Sequence, residues 1–326
     1  MNAIYQTDRV PLQTTMVDGR YLLLASAVVL FLSGVFVFSV GAAGRFLPHD
    51  EQYLGMTARD LCALHGCRIV HFMIHDRVSF GGALVGVGLL YFWLAASPLR
   101  RGQAWAWWVL ALTGGVGFGS FLSFLAYGYL DAWHGVATLV LLPCFLLGLA
   151  RSRTTLARPD GLVCLLRPSV RWPSGSTAGL GRACLLTVAA GLFVGGLAIL
   201  AVGMTCVFVP QDLTFMGLSV EELQGLNPRL VPLIAHDRAG FGGAVCCCGA
   251  ALFFSVWCGT PSRGLWRVLA LVGAAGFGCA VGVHAAVGYT DAVHLAPAVA
   301  AALVYLTGIV LTRRAMAATS PEDNSR

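Results

Sequence analysis

Two copies of one charged string interrupt otherwise apolar sequence: His75-Asp76-Arg77 followed by Phe80-Gly81-Gly82, and His236-Asp237-Arg238 followed by Phe241-Gly242-Gly243. A second repeated string, GYLDAWH at 128–134 and GYTDAVH at 288–294, supplies Asp131 with His134 and Asp291 with His294. Imidazole, carboxylate and guanidinium together suit several kinds of work. A divalent metal takes His75, His134 and one of Asp76 or Asp131, a nitrogen and oxygen set suited to Zn, Mn or Fe, and His236 with His294 offers the same in the second copy. A b-type haem fits between two histidines of a four-helix bundle, with Arg77 on a propionate. With His75 as general base or proton relay and Arg77 holding an anionic headgroup, a quinone or a carboxylate, the same residues form a substrate site. The remaining reading is structural: Arg and Asp lock helices together, and Asp131 and Asp291 cap the helices that follow them.

An Asp or Arg near the centre of a membrane-spanning helix costs about 2.5–3.5 kcal/mol, so the elements that carry these groups decide what they must pair with. Hydrophobic residues make up 57% of the 326-residue chain and charged residues 11%, with a mean hydropathy of +0.77. Soluble domains carry roughly 25% charged residues, so the chain reads as an integral membrane protein. Apolar runs of the roughly 20 residues a spanning helix needs lie at 21–43, 69–97, 104–127, 132–150, 183–207, 230–258, 264–287 and 292–312. The expected fold is all-α with eight transmembrane helices.

The repetition extends well beyond the charged string. Gly19-Arg20 matches Gly181-Arg182, Phe46-x-Pro48-x-Asp50 matches Phe208-x-Pro210-x-Asp212, and Gly117-Phe118-Gly119 matches Gly276-Phe277-Gly278. The chain therefore divides into an N-terminal tail (1–20), a four-helix repeat (21–150), an Arg-, Pro- and Ser-rich linker (151–182), a second four-helix repeat (183–312) and a C-terminal tail (313–326). An even number of spans per repeat gives both the same orientation, with a pseudo-twofold axis along the membrane normal. Small residues at Gly115, Gly119 and Ser123, matched by Ala274, Gly278 and Gly282, are expected to form a stripe where a neighbouring backbone approaches.

All 21 basic residues are arginine. With the N-terminus inside, Arg9, Arg20, Arg100, Arg101, Arg151, Arg153, Arg158, Arg167, Arg171, Arg182, Arg263, Arg267, Arg313, Arg314 and Arg326 are cytoplasmic, against Arg45, Arg59, Arg68 and Arg229 outside. The positive-inside rule then places both termini in the cytoplasm. The net charge of +6 meets anionic lipid headgroups, which removes any need for a nucleic-acid partner. Exclusive use of arginine with abundant Ala, Gly and Val suggests a bacterial inner membrane as the location.

This orientation puts both charged strings in the outer leaflet, about 10–14 Å along the second helix of each half. Arg77 with Asp131 and Arg238 with Asp291 are the expected ion pairs. One outward-opening pocket per half follows, formed by His75, Asp76, Arg77, Asp131 and His134, and by His236, Asp237, Arg238, Asp291 and His294, each floored by Gly-Gly and walled by Phe80 or Phe241. Thr57-x-x-Asp60 and Ser219-x-x-Glu222 are capping boxes, so each outer loop should hold a short helix, as lid or interfacial anchor, with Asp50 and Asp212 as further candidates there. His49, His65 and His71 occur only in the first half and His284 only in the second; His71, four residues before His75, would let the first half hold a ligand more firmly. Among the 11 cysteines, Cys62 and Cys67 are placed to form a disulfide in an oxidising compartment, and the others read as small apolar residues.

These features describe a polytopic membrane protein whose two pockets bind a ligand or cofactor (metal, haem, quinone or lipid headgroup) and either act on it or hold it. A transporter of a small, largely uncharged substrate is one alternative. Its weakness is that inner helix halves such as ALVGVGLLYFWLAAS carry no ionisable residue. A non-catalytic subunit of a larger membrane complex, with the charged strings as locks, is the other.

Overall fold

The structure is a computed structural model that describes residues 18–318 apart from 130, 131, 159, 169, 171 and 174. Eight helices are long and apolar enough to cross a membrane, and no strand occurs among the described residues. The first span, α1 (Gly19–Ala42), leads into two short outer helices, α2 (Pro48–Leu54) and α3 (Ala58–His65). The second and third spans are α4 (Arg68–Ala96) and α5 (Ala104–Phe121), the latter extended by a 3-10 turn to Leu125. The fourth is interrupted, with α6 (Ala132–Val136), a π-helical turn at Ala137–Leu141 and α7 (Leu142–Ser152). Then follow α8 (Thr177–Met204), the short α9 (Pro210–Met216) and α10 (Val220–Leu226), and the spans α11 (Leu230–Cys258), α12 (Arg263–Val287) and α13 (Ala292–Ala318). These follow the apolar runs with two main departures: α13 continues to Ala318, into the segment expected as a tail, and α8 starts earlier, where Ser176 accepts a hydrogen bond from Gly179 N at 3.0 Å and caps it.

The two helices that carry the charged strings are central. In α4 and α11, 67% of the most apolar window is buried, against at most 39% in any other span. Long α1 packs along α4, and α8 along α11. The other flank of α4 is covered by α12, and that of α11 by α5, so each central helix is held between one helix from its own half of the sequence and one from the other.

Phe-Gly-Gly explains how two backbones reach one helix. A β-carbon on Gly81 would lie 2.7 Å from Phe38 N and 2.9 Å from Gly34 O of α1, while one on Gly82 would lie 2.6 Å from Cys279 Cβ of α12. Adjacent glycines point about 100° apart around a helix, which opens two faces at once. In α11, Gly242 meets α8 and Gly243 meets Ser120 of α5 in the same way. The Gly-Gly pairs are therefore packing surfaces and do not floor a pocket. The predicted small-residue stripe also differs from expectation: a β-carbon on Gly115, Gly119, Gly278 or Gly282 would meet nothing within 4 Å. Its glycines face outward because α5 and α12 turn their other sides to the central pair, while Ser123, beyond the end of α5, is buried.

The outer loops close over the ends of α4 and α11. Both capping boxes form as read from sequence: Thr57 Oγ1 accepts from Asp60 N at 3.2 Å and Asp60 Oδ2 from Thr57 N at 2.9 Å, with Ser219 and Glu222 doing the same at 3.2 and 2.7 Å. Leu54, Leu61, Met216 and Leu223 pack with Phe72 and Leu230 in one buried cluster, so the short helices act as a lid. The lid is interlocked between halves. His65 Nε2 lies 3.0 Å from Met216 O, Asn227 Nδ2 donates to Leu54 O at 2.9 Å, and Arg229 Nη1 donates to Tyr53 O at 2.6 Å. The Cys62–Cys67 disulfide ties α3 to the start of α4, and Cys246, Cys247, Cys248 and Cys258 are buried apolar residues.

Candidate functional site

Beneath the lid lies a layer of reciprocal ion pairs. Arg77 Nε donates to Asp237 Oδ2 at 3.0 Å, and its Nη2 sits 2.8 Å from Asp50 Oδ2 as a bent ion contact without hydrogen-bond alignment. Arg238 Nε donates to Asp76 Oδ2 at 2.9 Å, and its Nη1 donates to Asp212 Oδ2 at 2.6 Å and to Val207 O at 2.8 Å. Each guanidinium thus joins the carboxylate of its own outer loop to the carboxylate of the other charged string. Phe46 lies under Arg77 and Phe72 under Arg238, at 5.0 and 4.8 Å from the ring centres.

These partners differ from the expected ones. Asp291 accepts from His294 N at 2.8 Å and caps α13, a local bond that the start of a helix offers ahead of any distant guanidinium. Asp131, the expected partner of Arg77, lies outside the described residues. Asp50 and Asp212 take the arginines instead, because each is held at the third position of a short helix by accepting from Leu47 N at 3.1 Å and Val209 N at 2.8 Å. Both also accept a hydroxyl, from Tyr129 and from Tyr289 respectively. Burial and the adjacent Asp212 carboxylate push the Tyr289 phenol above its ordinary range, so it stays protonated as a donor.

The histidines form two groups, and each group draws on both halves. In the first, His75 of α4 meets His284 of α12 and His294 of α13, with ligand nitrogens all within 4.8 Å of one another. His75 Nδ1 is 3.0 Å from Asp76 Oδ1, His284 Nδ1 is 2.6 Å from Ala280 O, and the two Nε2 atoms face each other at 3.1 Å. A carboxylate and a carbonyl only accept, so both Nδ1 atoms carry the hydrogen and, in neutral rings, both Nε2 atoms present lone pairs. Two facing lone pairs repel unless a cation or a proton lies between them. Tyr289 stacks on His294 at 4.5 Å and on Phe215 at 4.5 Å, and it also borders an outer cleft of about 440 Å³ lined by Gln211, Thr214 and Asp291.

In the second group, His134 of α6 and His236 of α11 bring their Nε2 atoms to 3.0 Å. Phe121 stacks on His134 at 5.2 Å, Phe124 packs at 5.0 Å, and Tyr129 lies 5.2 Å from His236. His49 stands edge-on to His134 at 5.7 Å, but its Nε2 is 3.7 Å from Asp50. The pockets expected within each half are therefore not the ones that form: His75 and His134, placed together by sequence reasoning, stand in different groups. Nor is the layer open to the outside, since His75, Asp76 and Arg77 are only 3–4% exposed.

Sequence reasoning missed His284, His49, Tyr129 and Tyr289 as members of the site, and His71 joins neither group. The tyrosines had a signal, because both belong to the repeated GY strings next to Asp131 and Asp291. His284 had none: it has no counterpart in the first half and reaches the site only because α12 packs on α4. Compared with family models, with curated proteins and with solved structures, the chain shows no match.

Proposed function

We propose that this polytopic membrane protein holds one divalent transition-metal ion at His75, His284 and His294, beneath its outer surface. The observation that carries this reading is the 3.1 Å approach of the His75 and His284 Nε2 atoms while both Nδ1 atoms donate elsewhere. Zinc binds imidazole nitrogen at about 2.0–2.1 Å, so tetrahedral ligands stand roughly 3.3 Å apart, near the observed separation. Asp76 supplies the outer-shell carboxylate that fixes ring orientation in histidine-metal sites, and Arg238 holds that carboxylate in turn. Charge supports the same ion. Among the described residues, Asp50, Asp76, Asp212 and Asp237 meet two guanidiniums, Arg77 and Arg238, which with neutral imidazoles is an excess of two negative charges when all are ionised. A proton offsets one of these and a divalent cation both.

Three neutral imidazoles favour Zn²⁺ or Cu²⁺ over the harder Mn²⁺. A haem fits less well, because its two axial nitrogens stand about 4 Å apart across a macrocycle and the paired histidines approach to 3.0–3.1 Å amid packed rings. The His134–His236 pair, walled by Phe121 and Phe124, is assigned a shared proton. In this reading the chain comprises two parallel four-helix units related by a pseudo-twofold axis, set in a bacterial inner membrane with both termini cytoplasmic. The matching roles of Arg77 with Arg238 and Tyr129 with Tyr289 support the duplication.

Elemental analysis of the purified protein, with cobalt substitution read by visible absorption, tests this proposal. One metal per chain, lost in His284→Phe, is expected. A protein that is metal-free as purified and gives no cobalt spectrum on titration would overturn it, leaving the charged layer as a structural lock.

A further inference from the structure

We infer that the α12–α13 pair forms, at the end opposite the histidines, a binding site for a phosphate-bearing anion. Arg263, Arg267 and Arg313 converge there with Trp266 and Ala317 on a cleft of about 230 Å³. Two of these cations stand where helix electrostatics disfavours them. Arg263 opens α12 and Arg267 lies one turn on, at the end where free N–H groups already concentrate positive charge. Their placement costs stability unless an anion joins them. Arg263 Nε donates to Ala317 O at 2.9 Å, and among the described residues none of the three arginines forms an ion pair with a carboxylate.

The chain carries its own control. At the start of α5, Trp107 Nε1 donates to Leu149 O at 2.9 Å with Arg153 5.4 Å over its ring. At the start of α12, Trp266 Nε1 donates to Ile309 O at 3.0 Å with Arg313 5.9 Å over its ring. The tryptophan–arginine arrangement is thus a shared packing device and needs no ligand. What differs is the flanks: Ala104 and Trp108 in the first stand where Arg263 and Arg267 stand in the second. Those two guanidiniums, beyond what the shared packing device requires, join Arg313 on the cleft.

Chemistry and depth then select the ligand. Planar guanidiniums pair with phosphate oxygens in a forked geometry, and an indole belongs at the level of lipid headgroups. The cleft lies about 30 Å along α12 from His284, at the other membrane surface. Anionic lipid phosphate and free phosphate share the required chemistry.

Full-length protein in phosphatidylcholine nanodiscs, titrated with phosphatidylglycerol and followed by native mass spectrometry, provides the test. Wild type and Arg153→Gln should retain phosphatidylglycerol equally, and Arg263→Gln/Arg267→Gln should retain it about thirtyfold less, as expected for two basic residues at an anionic surface. Displacement of the lipid by millimolar inorganic phosphate, and phosphate binding in its absence, would identify the free anion as the ligand; no displacement would identify the lipid. Equal retention by wild type and the double variant, with no phosphate binding to either, overturns the inference. These arginines are exposed, so their loss leaves the folded bundle intact.

Discussion

The two histidine groups occupy matching places beneath the lid yet differ in what surrounds the facing pair. His75 and His284 are joined by His294 and steadied by Asp76, whereas His134 and His236 are closed in by Phe121 and Phe124. Counted back from the two GY strings, His284 stands where the first half has Phe124, and in the Phe-x-Pro-x-Asp strings His49 stands where the second half has Gln211. Phe121 likewise stands where the second half has Val281, so three exchanges separate a three-nitrogen site from an aromatic-walled pair. Residues common to both halves build the charged layer, and residues unique to one half decide what it holds.

Breaking the layer should have the largest effect and should act on both groups. Arg77→Ala and Arg238→Ala each take the guanidinium away from two carboxylates, Asp50 with Asp237 and Asp76 with Asp212, leaving their charge uncompensated, an expected loss of about 3–5 kcal/mol in unfolding experiments. Only Arg238→Ala should also weaken metal binding, because only Arg238 holds Asp76. Next comes the exchange itself. His284→Phe should lower metal affinity a hundred- to a thousandfold, about 3–4 kcal/mol on the scale of structural zinc sites, and Phe124→His should add a second metal equivalent by elemental analysis. If Phe124→His gains no second metal and His284→Phe still binds normally, the two groups do not differ in the way proposed. Asp76→Asn should weaken the metal ten- to a hundredfold, as loss of an outer-shell carboxylate does, while Asp237→Asn leaves affinity unchanged.

The smallest effect compares the two lids. The backbone N–H and then the hydroxyl of Thr57 hold the Asp60 carboxyl below its ordinary value of 3.8, and Thr57→Ala removes the hydroxyl's share. A depressed carboxyl stabilises the fold above its unfolded value and loses that contribution as pH falls through the lower, folded one. The Tm difference between wild type and Thr57→Ala should therefore be full at pH 7 and shrink below about pH 4. A difference that persists in full at pH 2 would mean the threonine acts through the bond it accepts from Asp60 N–H and not through the carboxylate.

The spans were legible because lipid imposes one rule on every segment, a run of roughly 20 apolar residues. The capping boxes were legible because their partners stand three residues apart. Partner choice was not. Arg77 and Asp237 are 160 residues apart, and repetition alone does not tell whether a copy completes itself or its twin. The Gly-Gly pairs held that information in a form open to two readings, since a glycine admits either a ligand or a backbone, and only the approach of α12 to Gly82 decides between them.

The reciprocal pairs also set a timetable for synthesis. Asp76 meets Arg238 across 162 residues, so its partner leaves the ribosome about 8–30 s later at 5–20 residues per second. During that interval Asp76 has His75 and Arg77 has Asp50, but neither has its partner from α11, so α4 enters the bilayer with its cross-helix pairing still to be made. Insertion should therefore finish late: a chain ending before Leu230 is expected to hold α4 shallower than the full chain does, read by the accessibility of cysteines placed along α4.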